Sequence, residues 1–457
     1  MINPLRLSEL KNRTKGDLFG CDREVLSVVT DSRVADANSM FIALSGDRHN
    51  GHDYISSAID NGCMAIVSEQ SITNNITYLR VDNSRLALAY AGAINREKFQ
   101  GPVIGITGSS GKTTTKNMLQ TVLSKIANTS VTKGNFNNEI GVPLTLLAIN
   151  DADGFAVVEM GARHQGDIAY LGRFVQPDIA ILLNAGLAHI GEFGSYDAIV
   201  KTKGEIFESL GSNGVAIVNA DDPASTIWLQ ALRDRQLSGK QVLTFSMAED
   251  TQADVCAEDI TCGSDGSNYV LSVKGKKTSV HLPLPGRHNI ANSLAVAATL
   301  VALELPINAL VSGLEEINGS AGRLAFEVLV NGSKVIDDSY NANPVSMRAS
   351  LDVLALQKGR RIAVLGEMGE LGDRAKALHV ELATYASLLD IEAYYLVGTY
   401  AQDMAQCLGG KARGFKDKAA LALELLSALD GNETILIKGS RSETMEDVLT
   451  ALKGHFA

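Results

Sequence analysis

The sequence predicts an α/β protein of three domains: a small α/β N-terminal domain, a central P-loop parallel-sheet domain of ATPase type with an antiparallel excursion, and a C-terminal Rossmann-like domain. Three observations carry this. A β-branched run, a glycine-rich loop and a helix-compatible segment follow one another over residues 103–126. Apolar strand-like runs alternate with helical segments along most of the chain, as in parallel sheets. At 457 residues the chain is too long for one ordinary core, and about three domains are expected. The divisions fall near residues 1–100, 101–318 and 319–457.

Composition narrows the class. A hydrophobic fraction of 45% with 20% charged residues is that of a soluble globular protein. The formal net charge of −11 argues against a nucleic-acid partner, whose footprint would be basic. The five cysteines are scattered, with no C-x-x-C spacing, so neither a disulfide framework nor a zinc site is indicated. The first fifteen residues are polar and carry no secretory h-region, and no apolar run reaches the length of a membrane span. A cytoplasmic protein with no membrane insertion is expected.

In the N-terminal region, strands are expected at 28–33, 40–44, 64–67 and 76–81, with a helix at 54–61 and a Gly-, Asp- and His-bearing loop at 45–52. Ser32, Arg33 and His52 fall at strand ends or in that loop. There they either line a ligand site or satisfy the loops themselves.

The central region opens on the loop Gly108, Ser109, Ser110, Gly111, Lys112, Thr113 and Thr114. Glycines let backbone N–H groups close around phosphate oxygens, and the following helix N-terminus favours the anion. Lys112 would reach the terminal phosphates and the Thr113 hydroxyl would serve a Mg²⁺ site. The first glycine position of a full Walker A pattern holds Ile106, so Gly-Lys-Thr and its strand–helix context carry the reading. The amide-dense segment 134–143 includes Asn137 and Asn138, which suit a substrate or the turn's own backbone. A buried-type strand at 155–161 delivers Glu159 near its C-terminal end, where a carboxylate can hold Mg²⁺. A second such strand at 179–183 delivers Asn184 and His189 to the same edge. Lys201 and Lys203 lie on a helical segment and would ordinarily be solvated. Strands at 215–218 and 242–245, antiparallel segments over 255–284 and a helix over 285–303 follow. Asn289 and Asn292 sit one turn apart on that helix and could bracket a base or cap the helix.

The C-terminal region begins with Gly322-Arg323 and a strand at 326–330. A tight hairpin turn at Asn331-Gly332 then leads into 334–344. Strands at 362–366, 394–398 and 434–441, with helical segments between them, each run into a glycine, as in a second doubly wound domain.

These motifs, in this order, resemble the Mur ligase family along essentially the whole chain. Glu159-Met160-Gly161-Ala162, Ser339-Tyr340-Asn341-Ala342-Asn343-Pro344 and Lys438-Gly439-Ser440-Arg441-Ser442 together point to the branch that adds D-alanyl-D-alanine to UDP-MurNAc-tripeptide, rather than to MurC, MurD or MurE. The resemblance implies an ATP-dependent amide ligase working through an acyl phosphate. It implies ATP and Mg²⁺, with UDP-MurNAc-tripeptide and D-Ala-D-Ala as substrates, and a monomer is expected. By resemblance Lys112, His189 and Lys203 are catalytic, and Thr113, Glu159 and His189 serve the metals. ATP falls to the loop with Asn289, Asn292, Arg323 and Asp338. Substrate falls to Ser32, Arg33, His52, Asn137, Asn138, Lys438 and Arg441. Lys203, one turn before Phe207, has the spacing of the family's carbamylated lysine, with Lys201 as the alternative. A MurE-like or folylpolyglutamate-synthase-like ligase remains as a rival. A P-loop switch ATPase is disfavoured, because it expects Asp where the strand carries Glu159.

Overall fold

The computed structural model describes residues 1–2, 4–46, 49–237, 241–249, 252–317, 319 and 321–456. Asn318, at the expected end of the central region, lies outside the described residues, as do Asp47 and Arg48 of the expected 45–52 loop.

Three large sheets organise the described residues, and a two-stranded antiparallel pair, Leu5–Arg6 with Glu24–Val25, adds to them. The N-terminal sheet has the order Asp17–Phe19, Thr77–Arg80, Ala65–Ser68, Ser39–Ile42, Ser27–Val29, parallel except for its first strand. The sequence reading missed its helices Leu7–Thr14 and Ser84–Lys98. The second is Ala-rich, with Asn83 as its cap: the side-chain oxygen accepts the Leu86 N–H at 2.9 Å. It packs against helix Gly141–Ala148 so closely that a Cβ on Gly92 would meet the Pro143 backbone at 3.0 Å. The buried Asn95 amide donates to the Leu146 and Ile149 carbonyls, which joins the first unit to the second.

The central sheet has nine strands. Its order is Lys276–Leu282, Gly266–Val273, Val255–Gly263, Val242–Ser246, Val215–Asn219, Ile179–Leu182, Val103–Thr107, Phe155–Glu159, Thr129–Val131. The first three form the expected antiparallel excursion, and the rest pair in parallel. Val103–Thr107 lies between Phe155–Glu159 and Ile179–Leu182, with Glu159 opposite Ile106 and Leu182 opposite Thr107. Three strand ends therefore emerge side by side, which is why residues far apart in sequence share one site. Helix Lys112–Leu123 buries Met118, Leu119, Val122 and Leu123. Each such side chain contributes about 1.5–3 kcal/mol on leaving water.

The C-terminal sheet runs Ala325–Val328, Lys334–Asp337, Glu433–Lys438, Arg360–Leu365, Ala393–Val397, Ala412–Phe415, parallel except for its first strand. The first hairpin departs from the expected two-residue Asn-Gly turn. The Gly332 N–H closes onto the Leu329 carbonyl at 2.9 Å, and Leu329 N–H onto Ser333 at 2.8 Å, with Gly332 at φ +99°. This is a three-residue loop with a glycine bulge, so glycine, not the Asn-Gly pair, carries the left-handed backbone. One buried apolar cluster includes Ile190 and Phe193 of the central unit with Met368 and Leu371 of the C-terminal one.

Candidate active site

A cleft of about 1390 Å³ opens between the central and C-terminal sheets. The loop 108–114, Asn137, Asn138, Glu159, His189, Lys203, Asn289, Asn292, Arg323, Asp338, Lys438 and Arg441 all line it.

The phosphate loop is held from outside. Gly111 has φ +81° and leads directly into helix Lys112–Leu123. A side chain there would be strained, and its Cβ would stand 2.4 Å from Asn292 Oδ1. Asn184 straps the loop: its Oδ1 accepts the Ser109 and Ser110 N–H groups at 3.1 and 3.0 Å, and its Nδ2 donates to the Ser110 carbonyl at 3.2 Å. Lys112 Nζ, half-buried, donates to the Gly108 carbonyl at 2.8 Å. Burial lowers its pKa against the pull of Glu159.

Glu159 is buried and fully engaged. Thr113 Oγ1 donates to Glu159 Oε2 at 2.9 Å and Asn137 Nδ2 to Oε1 at 2.8 Å. Lys116 Nζ lies 3.9 Å from Oε2 and donates to the Thr132 and Gly134 carbonyls. Lys116, buried behind the cleft, is a neighbour of Glu159 that sequence reasoning missed. Its position one turn after Lys112 was the available signal. Asn138 behaves otherwise: its Oδ1 accepts the Gly141 N–H at 2.9 Å and so serves the start of the next helix.

On the facing wall, Lys438 Nζ donates to Asp338 Oδ2 at 2.5 Å and to the Asn341 carbonyl at 2.9 Å, deep in the fold. Asp338 Oδ1 also accepts the Leu324 N–H at 3.2 Å, which positions Arg323. The Arg323 guanidinium lies 4.0 Å from the Tyr340 ring centre, a cation–π contact. Arg441, exposed, pairs with Glu446 at 2.7 Å. Asn289 Nδ2 donates to the Pro285 carbonyl at 2.9 Å. His288, also missed, lines the cleft, and burial pushes its pKa down to about 4.

Two further groups complete the cleft. His189 meets the Glu370 carboxylate through Nδ1. Lys203 is 3% exposed and, among the described residues, its Nζ has no hydrogen-bond or ion-pair partner. It stands 5.9 Å from the Phe193 ring centre. Burial, then the nearby Lys112 charge, pushes its pKa down to about 7. Lys201, two residues before it, is exposed.

Ser32, Arg33 and His52 are not in this cleft. They follow the C-terminal ends of neighbouring N-terminal strands. Arg33 is exposed and paired with Asp31 at 2.6 Å. His52 is buried; Nε2 accepts the Glu69 N–H at 3.1 Å, so Nδ1 donates to Asn50 Oδ1 at 2.9 Å.

No group of three His, Cys, Asp or Glu residues able to hold a metal occurs among the described residues. Mg²⁺ commonly takes only one or two protein oxygens beside phosphate and water, and Thr113 with Glu159 is a donor set of that kind.

A P-loop beneath a second doubly wound sheet, with cations on both walls, defines a nucleotide-binding α/β enzyme. The Mur ligase middle domain family matches residues 106–300, and the Mur ligase glutamate ligase domain matches 322–441. UDP-N-acetylmuramoyl-tripeptide–D-alanyl-D-alanine ligase of Escherichia coli is 38% identical over 98% of both chains. A crystal structure of MurF from Acinetobacter baumannii superposes with TM-score 0.93 at 36% identity, covering 99% of both chains. MurF of Thermotoga maritima in complex with ADP superposes at 0.83 with 29% identity, covering 94% of this chain and 97% of that one. The chain belongs to the MurF family of Mur ligases.

Proposed function

We infer that the chain is the ATP-dependent ligase that joins D-alanyl-D-alanine to UDP-MurNAc-tripeptide in peptidoglycan-precursor synthesis. The observation that carries this is full-length kinship with the ligases of that name, 38% identical over 98% of the chain. A free carboxylate acylates amines poorly, because oxide is a poor leaving group. Transfer of the ATP γ-phosphoryl group to the tripeptide carboxylate makes phosphate the leaving group. The amine of D-Ala-D-Ala then attacks the acyl carbon, and an amide, ADP and phosphate result. Most of the protein's work in such a transfer is positioning and charge stabilisation.

Within that reaction, Lys112 and the amides of Gly111 to Thr114 hold the β- and γ-phosphates. Thr113 and Glu159, with His189, would hold Mg²⁺, which supplies charge neutralisation at the phosphates when bound. Asn289, Asn292, Arg323 and Asp338 serve ATP. Lys438, Arg441, Asn137 and Asn138 face the acyl acceptor and donor. Ser32, Arg33 and His52 serve the uridine nucleotide, which assigns residues 1–100 to substrate, 101–318 to ATP and 319–457 to closure over both. No helix of the described residues is long and apolar enough to cross a membrane; a cytoplasmic monomer is part of the same proposal and rests on the family resemblance. The test is phosphate release from ATP with UDP-MurNAc-tripeptide. Release should require D-Ala-D-Ala, and release driven instead by diaminopimelate or glutamate would refute the assignment.

Lys203 is proposed to be carbamylated. Carbamylation needs a neutral amine to attack CO₂, and a pKa pushed down to about 7 leaves a large neutral fraction at physiological pH. The product is an anionic oxygen ligand beside Lys112, where an ammonium is repelled. Activity should fall on CO₂ depletion and return with bicarbonate. Because the ammonium dominates below pH 7, reactivation should fail progressively as the pH drops through that value. A fully active Lys203→Ala variant would exclude any part for this residue.

A further inference from the structure

Loops from the central and C-terminal units meet at His189. The C-terminal loop follows strand Arg360–Leu365 and carries Glu370. The Glu370 carboxylate lies against His189 Nδ1 as an ion-pair contact outside regular hydrogen-bond geometry, and Arg163 Nη2 approaches the same carboxylate at 3.7 Å. The Glu370 carbonyl accepts the Gly191 N–H at 3.0 Å. A Cβ on Gly191 would stand 2.7 Å from the Gly372 nitrogen, so only glycine permits this approach. Glu370 itself has φ +61°, a left-handed conformation uncommon for a residue with a side chain. The loop is braced from behind. Met368 and Leu371 are buried, and the Met368 N–H donates at 2.9 Å to Nε2 of His379, whose Nδ1 donates to the Ala375 carbonyl at 2.7 Å.

We propose that Glu370 is a positioning residue: the docked C-terminal unit uses it to hold the Nδ1–H of His189, leaving Nε2 as the nitrogen that serves the phosphate–magnesium site. This rests on the reading of His189 as a metal-site residue. An imidazole with one nitrogen pinned to a carboxylate has a fixed tautomer and orientation, and its other nitrogen is more basic. Because the pin belongs to another sheet, it exists only while the two units are docked. Completion of the metal site is thereby tied to closure. By reciprocity, a metal that binds better to the pinned ring also favours docking.

The test compares Glu370→Ala, Glu370→Gln and His189→Ala in the full chain. Nuclear magnetic resonance of isotope-labelled histidine reports the tautomer of His189, assigned by its absence in His189→Ala. Mn²⁺ affinity with ADP present reports the metal site without turnover. The unaltered chain should show the Nδ1–H form. Glu370→Ala should lose that preference and weaken Mn²⁺ binding about ten-fold or more. Glu370→Gln keeps an acceptor oxygen and should retain the tautomer with a smaller loss. Should the alanine variant not fold, Glu370→Asp, too short to reach Nδ1, takes its place. An unchanged His189 tautomer in the folded variant overturns the proposal. So does Mn²⁺ affinity that drops in His189→Ala but not in Glu370→Ala. Affinity unchanged in His189→Ala defeats the metal reading of His189, and the proposed link to the metal site with it.

Discussion

Lys112→Ala should leave a folded protein that binds substrates but ligates about 10²–10³-fold more slowly, a loss of roughly 2.7–4 kcal/mol of transition-state stabilisation. The cation stands at the start of helix Lys112–Leu123, with Nζ held by the Gly108 carbonyl at 2.8 Å. On the role proposed for Lys112 beside the transferring phosphoryl group, the loss belongs to kcat more than to KM. Stability should change little. One hydrogen bond worth about 1 kcal/mol disappears, and so does the repulsion that Lys112 exerts on buried Lys203. Single-turnover measurement of acyl-phosphate formation checks the step, and near-normal turnover would remove Lys112 from the chemistry.

The second large effect is expected on stability. Asp338→Ala should cost about 3–5 kcal/mol, because it strands a charge inside the protein. Lys438 Nζ is almost wholly buried and Asp338 Oδ2 is its carboxylate partner at 2.5 Å. Asp338 also accepts from Ser350 Oγ at 2.5 Å and from the Leu324 N–H. Its loss therefore loosens the segment that carries Arg323 as well. Replacing both partners, with Asp338→Ala and Lys438→Met together, should recover a good part of the loss. Denaturant unfolding of the two variants decides it: equal midpoints would mean that an unpaired Lys438 charge is not what destabilises Asp338→Ala.

What the sequence made legible was local. Gly111-Lys112-Thr113 identifies itself, because a phosphate loop is contiguous and its strand and helix flank it. Glu159 and Asn184 were found because each follows an apolar run, and parallel strands end at one edge. Lys203 was singled out only through the family resemblance and its spacing to Phe207, and its burial beside Phe193 could not be read from a segment with a second lysine two residues away. The Asp338–Lys438 pair joins residues 100 positions apart, set by the parallel register of Lys334–Asp337 with Glu433–Lys438. No local pattern announces such a pair. Glu370 was missed for the same reason: its importance lies in a contact between two sheets, and its loop has no pattern of its own. Helix Ser84–Lys98 escaped because its apolar face is spread by alanines, and packing on Pro143 rather than periodicity defines it.

The Asn184 strap has a consequence for how an anion is met. The Ser109 and Ser110 amides are turned toward Asn184, and the Ser109 hydroxyl exchanges hydrogen bonds with the Gly186 backbone. These groups are occupied within the protein. On the proposed ATP site, the amides left for phosphate are those of Gly111 to Thr114, at the positive end of the helix dipole. Ordering a backbone residue costs roughly 1–2 kcal/mol. Here that entropy is surrendered during folding, so an incoming nucleotide finds a rigid receptor and keeps more of its contact energy as affinity. For the proposed ATP site, these internal hydrogen bonds favour recognition by preorganisation, in which the triphosphate adapts its torsions to a loop already held in place.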